Sequence, residues 1–333
     1  MTWLLNGLNF AVRLLTPLVM AAEIINGAGF QQQVFAEIQA EVSAMQRQHQ
    51  PTPGIAFIAF VDHLPLMKYT IPLHTEAARA LGFQVSLETC SASSGEEAML
   101  KVIEQLNADE SVHAIVLLQP VPKHINAINL IKHINSSKEV EGFHPQNILA
   151  TQVHGVFGTR YPMCLPMAFF ELFKYAGIKV ERGQEFVFVA DQDFISNPFR
   201  SLILKTASLQ VIPQGCSYTL VNADNERIED YCKRADYLFV VSEQPEFVKP
   251  EWLKKGVCII DIYSNLVKEV ASKKNPDVMI PVIRGGVSKE AVMPVAGKIA
   301  PCPGGLMPVL LAVLLRNALN ACKYQLSHTS MLS

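Results

Sequence analysis

Charge is scarce in this sequence: Asp, Glu, Lys and Arg make up 17% of its 333 residues, and the net charge is -2. Nucleic-acid binding needs a basic footprint, and no basic stripe with interleaved aromatic residues occurs. Metal-binding cysteine patterns are missing too. The seven cysteines (Cys90, Cys164, Cys216, Cys232, Cys258, Cys302 and Cys322) form no C-x-x-C pair and no zinc-spaced partnership with histidine. An odd, dispersed set reads as reduced, mostly buried thiols of an intracellular protein, with no metal site. Trp3 to Val19 is apolar but broken by Asn6, Asn9, Arg13 and Pro17, too interrupted for a convincing membrane span. It has no basic n-region, which makes it a poor secretory signal. Arg13 is its only base and no acid precedes Glu23. Residues 1–20 are therefore an extension of uncertain fate, with a presequence and an anchor as the other readings and Met20 as an alternative start. Internal repeats and low-complexity tracts are absent.

What the sequence does have is apolar residues, 50% of the total, enough for sizeable cores and against disorder. Length alone suggests about two domains. From Ala21, short apolar runs alternate with amphipathic stretches, the pattern of βα units around a largely parallel sheet. Phe30 to Gln46 has helical periodicity, ended by Gln50-Pro51-Thr52-Pro53-Gly54. Ile55 to Val61, Val85 to Thr89 and Ala114 to Leu118 read as strands. Helices are expected over Thr70 to Leu81, stopped by Gly82, and from Ser94 to about Leu106, with Glu96 and Glu97 at the positive end of the dipole. A second alternating block begins near Cys164. It predicts helices over Ala168 to Ala176 and Pro198 to Thr206, and strands over Phe186 to Ala190, Leu209 to Ile212, Tyr237 to Val241 and Val257 to Ile262. Val309 to Cys322 is again helical in period.

Several motifs say more than this. Glu139-Val140-Glu141-Gly142-Phe143-His144-Pro145 follows the run Ile115 to Leu118 and the segment Gln119-Pro120-Val121-Pro122. Ala300-Pro301-Cys302-Pro303-Gly304-Gly305 comes late in the chain. Ala21 to Gly27, and Pro245 to Gly256 followed by Ile259-Ile260-Asp261, complete the set. In this order and spacing they resemble the folate one-carbon enzymes methylenetetrahydrofolate dehydrogenase/methenyltetrahydrofolate cyclohydrolase, over nearly everything from Ala21 to Tyr324. The resemblance implies an α/β fold with two domains flanking a cleft. One is a βα N-terminal domain, residues 21–160 plus a returning segment 308–333. The other is a Rossmann-like parallel-sheet nucleotide domain, residues 161–307. The resemblance also implies a folate or related small-molecule ligand, NADP as cofactor, a homodimer, and a cytoplasmic or alternatively mitochondrial location.

On the folate side, the family sets a tyrosine and a proton-handling lysine four residues apart, on one helix face. Counting back from Gly82, those positions hold Thr70 and His74, with Tyr69 turned about 100° away along a helix. Histidine transfers protons near neutral pH with little tuning, but it is shorter than lysine. The family's glutamine before its Leu-Pro-Leu-Pro run corresponds to Leu118, and Gln119 is expected to face the other side of the strand. Glu141 matches the pterin-gripping aspartate, with one methylene more. His74 and Glu141 are thus the candidate catalytic residues, and Tyr69, Thr70, Leu118, Pro303, Gly304 and Gly305 the candidate pocket. The bland alternatives are a rim histidine, a core leucine and a solvated loop acid.

On the nucleotide side, the family motif G-x-S-x-x-V-G-x-P corresponds to Ala190-Asp191-Gln192-Asp193-Phe194-Ile195-Ser196-Asn197-Pro198. Both glycines and the serine are replaced, and Asp191 and Asp193 oppose an anionic ligand. Further glycine positions hold Glu243, Tyr263 and Met307, and the position of an arginine that meets a 2′-phosphate corresponds to about Gln214. Ala190, Asp191, Gln192, Ser196, Glu243, Tyr263 and Ser264 are the candidate cofactor residues by position. Overpacking a tight site costs roughly 1–3 kcal/mol per residue, so NADP binding in the usual manner is opposed. Three readings follow: a diverged member that keeps the ligand cleft but has lost or strongly reduced the usual activities; an active bifunctional enzyme oxidising 5,10-methylenetetrahydrofolate and hydrolysing 5,10-methenyltetrahydrofolate to 10-formyltetrahydrofolate; and a regulatory or structural partner of an active relative.

Overall fold

The computed structural model describes residues 21–154, 160–196, 212–277 and 279–332. The expected helix over 198–206 lies outside these residues, as do the extension 1–20 and all of the expected strand 209–212 except Ile212, which sits in a bend.

The chain opens with a two-residue strand, β1 (Glu23–Ile24), and then the long helix α1 (Gly27–Arg47). Asn26 caps α1 by accepting the Ala28 N–H at 3.0 Å. Phe30, Val34, Ile38, Val42 and Met45 recur every three or four residues and are all buried, so one face of α1 looks inward. Burying such side chains contributes roughly 1.5–3 kcal/mol each.

Three parallel strands follow, β2 (Gly54–Phe60), β3 (Gln84–Cys90) and β4 (Ala114–Leu117), in the order β3-β2-β4. β2 is the centre, and its unbroken apolar run Gly-Ile-Ala-Phe-Ile-Ala-Phe is buried on both faces, as a central parallel strand must be. Helices α2 (Ile71–Ala80) and α3 (Gly95–Ala108) join these strands. The Lys138 ammonium closes the end of α3 by donating to the carbonyls of Leu106, Asn107 and Asp109 at 3.0, 2.9 and 2.7 Å. Two more helices, α4 (Ala127–His133) and α5 (Pro145–His154), lead to α6 (Cys164–Tyr175).

The second sheet has six strands, all parallel: β1, β5 (Glu185–Ala190), β6 (Ser217–Asn222), β7 (Tyr237–Val241), β8 (Cys258–Asp261) and β11 (Lys298–Ala300), in the order β1-β11-β8-β7-β5-β6. β6, not expected from the sequence, pairs with β5. It is an edge strand in which only Val221 is buried, so it lacks the apolar run that reveals its neighbours. An antiparallel ribbon, β9 (Asn265–Ala271) and β10 (Met279–Arg284), also went unpredicted. Its apolar residues Val267, Val270, Met279 and Ile280 stand exposed among charges, so neither periodicity nor burial marks it.

The closing helix (Leu306–Leu332) runs longer than expected and returns to pack on α1 and α6. Its Leu306–His328 stretch is long and apolar enough to cross a membrane, yet 67% of that window is buried in the fold, which marks a core helix. Asn317 pins it by donating to the carbonyls of Val140 and Pro162 at 2.9 and 3.0 Å. The largest apolar cluster joins Phe57 and Val116 of the three-stranded sheet to Phe186 and Phe239 of the six-stranded sheet through α1, α6 and this helix. Both sheets therefore share one core.

Candidate functional site

Parallel α/β sheets bind ligands outside the carboxyl ends of their strands, at the point where strand order reverses. The carboxyl ends here face a cleft of about 870 Å³. One wall comes from the loops after β2 and β4, including Phe60, His63, Gln119 and the run from Pro120 to Ile128. The opposite wall is Asp193, Ser196, Glu243 and Tyr263, from loops after β5, β7 and β8. Lys123 and Asp193 span the two walls at 2.6 Å, both well exposed. Such a pair contributes about 0–1 kcal/mol, so it spans the cleft without locking it.

On the folate side the residues before α2 form a π-helical turn, Leu66–Thr70, closed by the Ile71 N–H on the Leu66 carbonyl. Single π turns are rare and frequent at functional sites. The half-buried Tyr69 crosses to the nucleotide side and bonds the Ser264 side chain. Burial, and then the neighbouring Cys302 thiol, raise its phenol above the ordinary value against that bond. Ser264 in turn meets Cys302 Sγ at 3.1 Å.

His74 is neither on a surface nor on a rim. It is 5% exposed, edge-on to Phe57 with ring centres 5.9 Å apart, and its Nδ1 lies 2.7 Å from the Thr70 carbonyl oxygen. Burial lowers its pKa, only partly opposed by that bond. Leu118 is packed with Leu66, Ile71, Val116 and Val140 in the main core. Gln119 is on the other side from Leu118, as expected, but it is Gln119 and not Leu118 that lines the cleft. Alternation continues past β4: Leu118 joins Ala114 and Val116 in the main core, and its N–H still bonds the Ile58 carbonyl at 2.9 Å, which leaves the other side to Gln119.

Glu141 is not a solvated acid. Burial first, and then Glu139, hold its carboxyl well above the usual carboxylate range. The fully buried Glu139, not singled out from the sequence, organises this turn. It accepts the N–H groups of His144 and Glu141 at 2.7 and 2.9 Å, and the Asn147 amide at 3.2 Å. Gly142 makes the turn feasible: its φ is +83°, and an added Cβ would sit 2.5 Å from Met163 Cα. Gly304 and Gly305 lie at the joint between β11 and the closing helix. The Gly27 N–H donates to the Gly304 carbonyl at 2.9 Å, and a Cβ on Gly27 would lie 1.9 Å from the Gly305 carbonyl oxygen. Pro303 follows a cis peptide and is exposed.

On the nucleotide side, strand order reverses between β5 and β7. Ala190 ends β5, fully buried. The next side chain, Asp191, turns across the crevice and accepts the Ser242 hydroxyl at 3.0 Å and the Glu243 N–H. Burial raises its carboxyl pKa, partly offset by these two donors. Gln192 accepts from the Asn222 amide, and the Ser196 hydroxyl donates to the Gln192 carbonyl at 2.8 Å. Tyr263 meets Phe194 edge-on at 5.3 Å and donates to Glu243 at 3.4 Å. Phe194, Ile195, Leu220 and Tyr263 pack on Ala190 and Val241 as a small cluster. The side chains at the cofactor positions thus satisfy one another. Three carboxylates, Asp191, Asp193 and Glu243, gather on this side of the cleft. Gln214 is exposed in a turn and Met307 is half-buried at the start of the closing helix.

Beneath this wall lies Asp261, 1% exposed, which accepts the N–H groups of Gly286 and Val287 at 3.1 and 3.0 Å. Burial pushes its carboxyl up to about 7 against the pull of these donors. A side chain at residue 285 would collide with it, since a Cβ on Gly285 would be 1.9 Å from Asp261 Oδ2.

A six-stranded parallel sheet with a switch-point crevice, facing a smaller parallel sheet across a cleft, defines a dinucleotide-fold protein with a second ligand-binding unit. Residues 25–141 match the catalytic domain of tetrahydrofolate dehydrogenase/cyclohydrolase, and residues 163–326 match its NAD(P)-binding domain. The chain belongs to the tetrahydrofolate dehydrogenase/cyclohydrolase family. It is 31% identical over 307 residues to the bifunctional protein FolD of Desulfosudis oleivorans, covering 92% of this chain and 99% of that one. With the FolD of Desulfotalea psychrophila it shares 32% over 311 residues, 93% of this chain and all of the other. Among solved structures, the Trypanosoma brucei N5,N10-methylenetetrahydrofolate dehydrogenase-cyclohydrolase, complexed with NADP cofactor and inhibitor, superposes with a TM-score of 0.75. The two share 24% identity, over 92% of this chain and 99% of that one.

Proposed function

We propose that this chain keeps the ligand cleft of its family, holds a tetrahydrofolate-type molecule there, and has lost or strongly reduced the usual dehydrogenase and cyclohydrolase activities. One observation carries the reading. Asp191 bridges the switch-point crevice to Ser242 and Glu243, so the donors and the space next to β5 are already taken by protein. A buried His74 and a core Leu118 support the same conclusion on the folate side, because acid–base help that is out of position costs on the order of 10²–10⁴ in rate. The proposal divides the chain into a discontinuous folate-side domain, residues 21–160 with 308–333, and a nucleotide-side domain, residues 161–307. It includes pairing of two copies, to be read from light scattering of the purified protein.

Melting temperature followed during titration with NADP and with tetrahydrofolate tests the reading. A ligand at 100 times its Kd stabilises by about 2.7 kcal/mol, so tetrahydrofolate is expected to raise the melting temperature and NADP to leave it unmoved. A shift with NADP, accompanied by turnover, would overturn the proposal. It would favour the second reading, an active bifunctional enzyme, which the near full-length match to bifunctional relatives supports.

A further inference from the structure

Gln119 is the anomaly in the cleft wall. Its side-chain nitrogen is shut off from solvent and has no acceptor within the protein. Buried amide groups are nearly always paired, and an exception calls for a physical reason. The residue belongs to the wall of the 870 Å³ cleft, just after the β4 strand, whose last residues are fixed: the Leu118 N–H is held by the Ile58 carbonyl at 2.9 Å. The backbone is held there, and Gln119 lines the cleft, the side from which a ligand reaches it.

We propose that Gln119 is a ligand-reading residue, whose carboxamide turns into the cleft and donates to a neutral acceptor, a carbonyl oxygen or ring nitrogen, of the bound molecule. The inference rests on the folate-type ligand proposed above and adds a specificity determinant to it. The wall that carries Gln119 also carries His63 and Lys123, the latter paired with Asp193 of the opposite wall. Thermodynamically, an unpaired donor raises the free energy of the empty protein, and pairing it on binding recovers that loss. Affinity and free-protein stability are thus expected to move in opposite directions when the amide is removed.

The test uses the full chain as wild type, Gln119→Leu and Gln119→Glu, titrated calorimetrically with reduced tetrahydrofolate, with the melting temperature of each free protein measured alongside. Gln119→Leu is expected to bind roughly 10-fold more weakly, the affinity equivalent of about one hydrogen bond, while melting at the same or a higher temperature than wild type. Gln119→Glu is expected to bind more weakly still, because a carboxylate cannot donate and repels the same acceptor. Both variants binding within about twofold of wild type, well below one hydrogen bond's effect, would overturn the assignment while leaving the folate reading intact. Weaker binding by Gln119→Leu together with a lower melting temperature would assign the residue a structural role and overturn it too. If wild type itself does not bind tetrahydrofolate, the folate reading and this assignment fall together.

Discussion

A carboxyl group surrounded by backbone N–H donors is ordinarily a strong acid, yet Asp261 titrates near 7 because burial outweighs four such donors. An aspartate in the unfolded chain titrates near 3.9. Protons therefore bind the folded state more tightly than the unfolded one between those two values. The sign follows: this contribution to stability is complete below about pH 4 and is lost as pH rises through about 7. Between pH 5 and 8 the loss is on the order of 2–3 kcal/mol. Asp261→Asn keeps an oxygen acceptor but removes the titration. Its melting temperature is expected to fall less than that of wild type over this pH range. Parallel profiles would show that another group carries the pH dependence. Glu139 and Glu141 are shifted in the same direction, so the variant isolates one member of a set. At this scale the sequence pointed to the cleft but misjudged who faces it. His74, Leu118 and Gln119 are separated by which side of a helix or strand they occupy, and alternation alone does not say which side of the strand meets the cleft.

Elements were legible where burial is continuous. The runs around Phe57, Val116, Val187, Val240 and Ile259 are strands because both faces are covered, and alternating helices complete them. β6 and the β9–β10 ribbon escaped because they are edges, and edge strands mix polar and apolar residues. The turn Glu139 to Asn147 was visible as a motif, while its architect, Glu139, was not, since a buried glutamate looks like any other in a sequence. Gly142→Ala tests how tightly this turn is built. A left-handed conformation costs roughly 1–2 kcal/mol for a residue with a Cβ, and overpacking against the Met163 backbone adds roughly 1–3 kcal/mol. Urea denaturation is expected to report a loss of about 2–5 kcal/mol, the sum of these contributions. A variant as stable as wild type would mean that the contact with Met163 can relax.

For the molecule as a whole, the shared apolar cluster matters more than the division into two sheets. Interfaces between domains are usually modest and allow independent melting. Here Phe57, Phe169, Phe239 and Leu315 belong to one cluster, so calorimetry is expected to show a single unfolding transition. Two separated transitions would contradict the continuity of the core. The fold class was readable from the order of apolar runs. The closing helix's return was implied by family resemblance and not by its own residues, which is why its physical meaning emerges only from the packing.

That return sets an order of events during synthesis. Glu23 waits for Lys298, 275 residues later, before β1 has a neighbour, and the inner face of α1 stays uncovered until the helix from Leu306 has been made. Nearly the whole polypeptide must leave the ribosome before its principal hydrophobic surface closes, and a nascent chain stalled before Leu306 would offer that surface to chaperones.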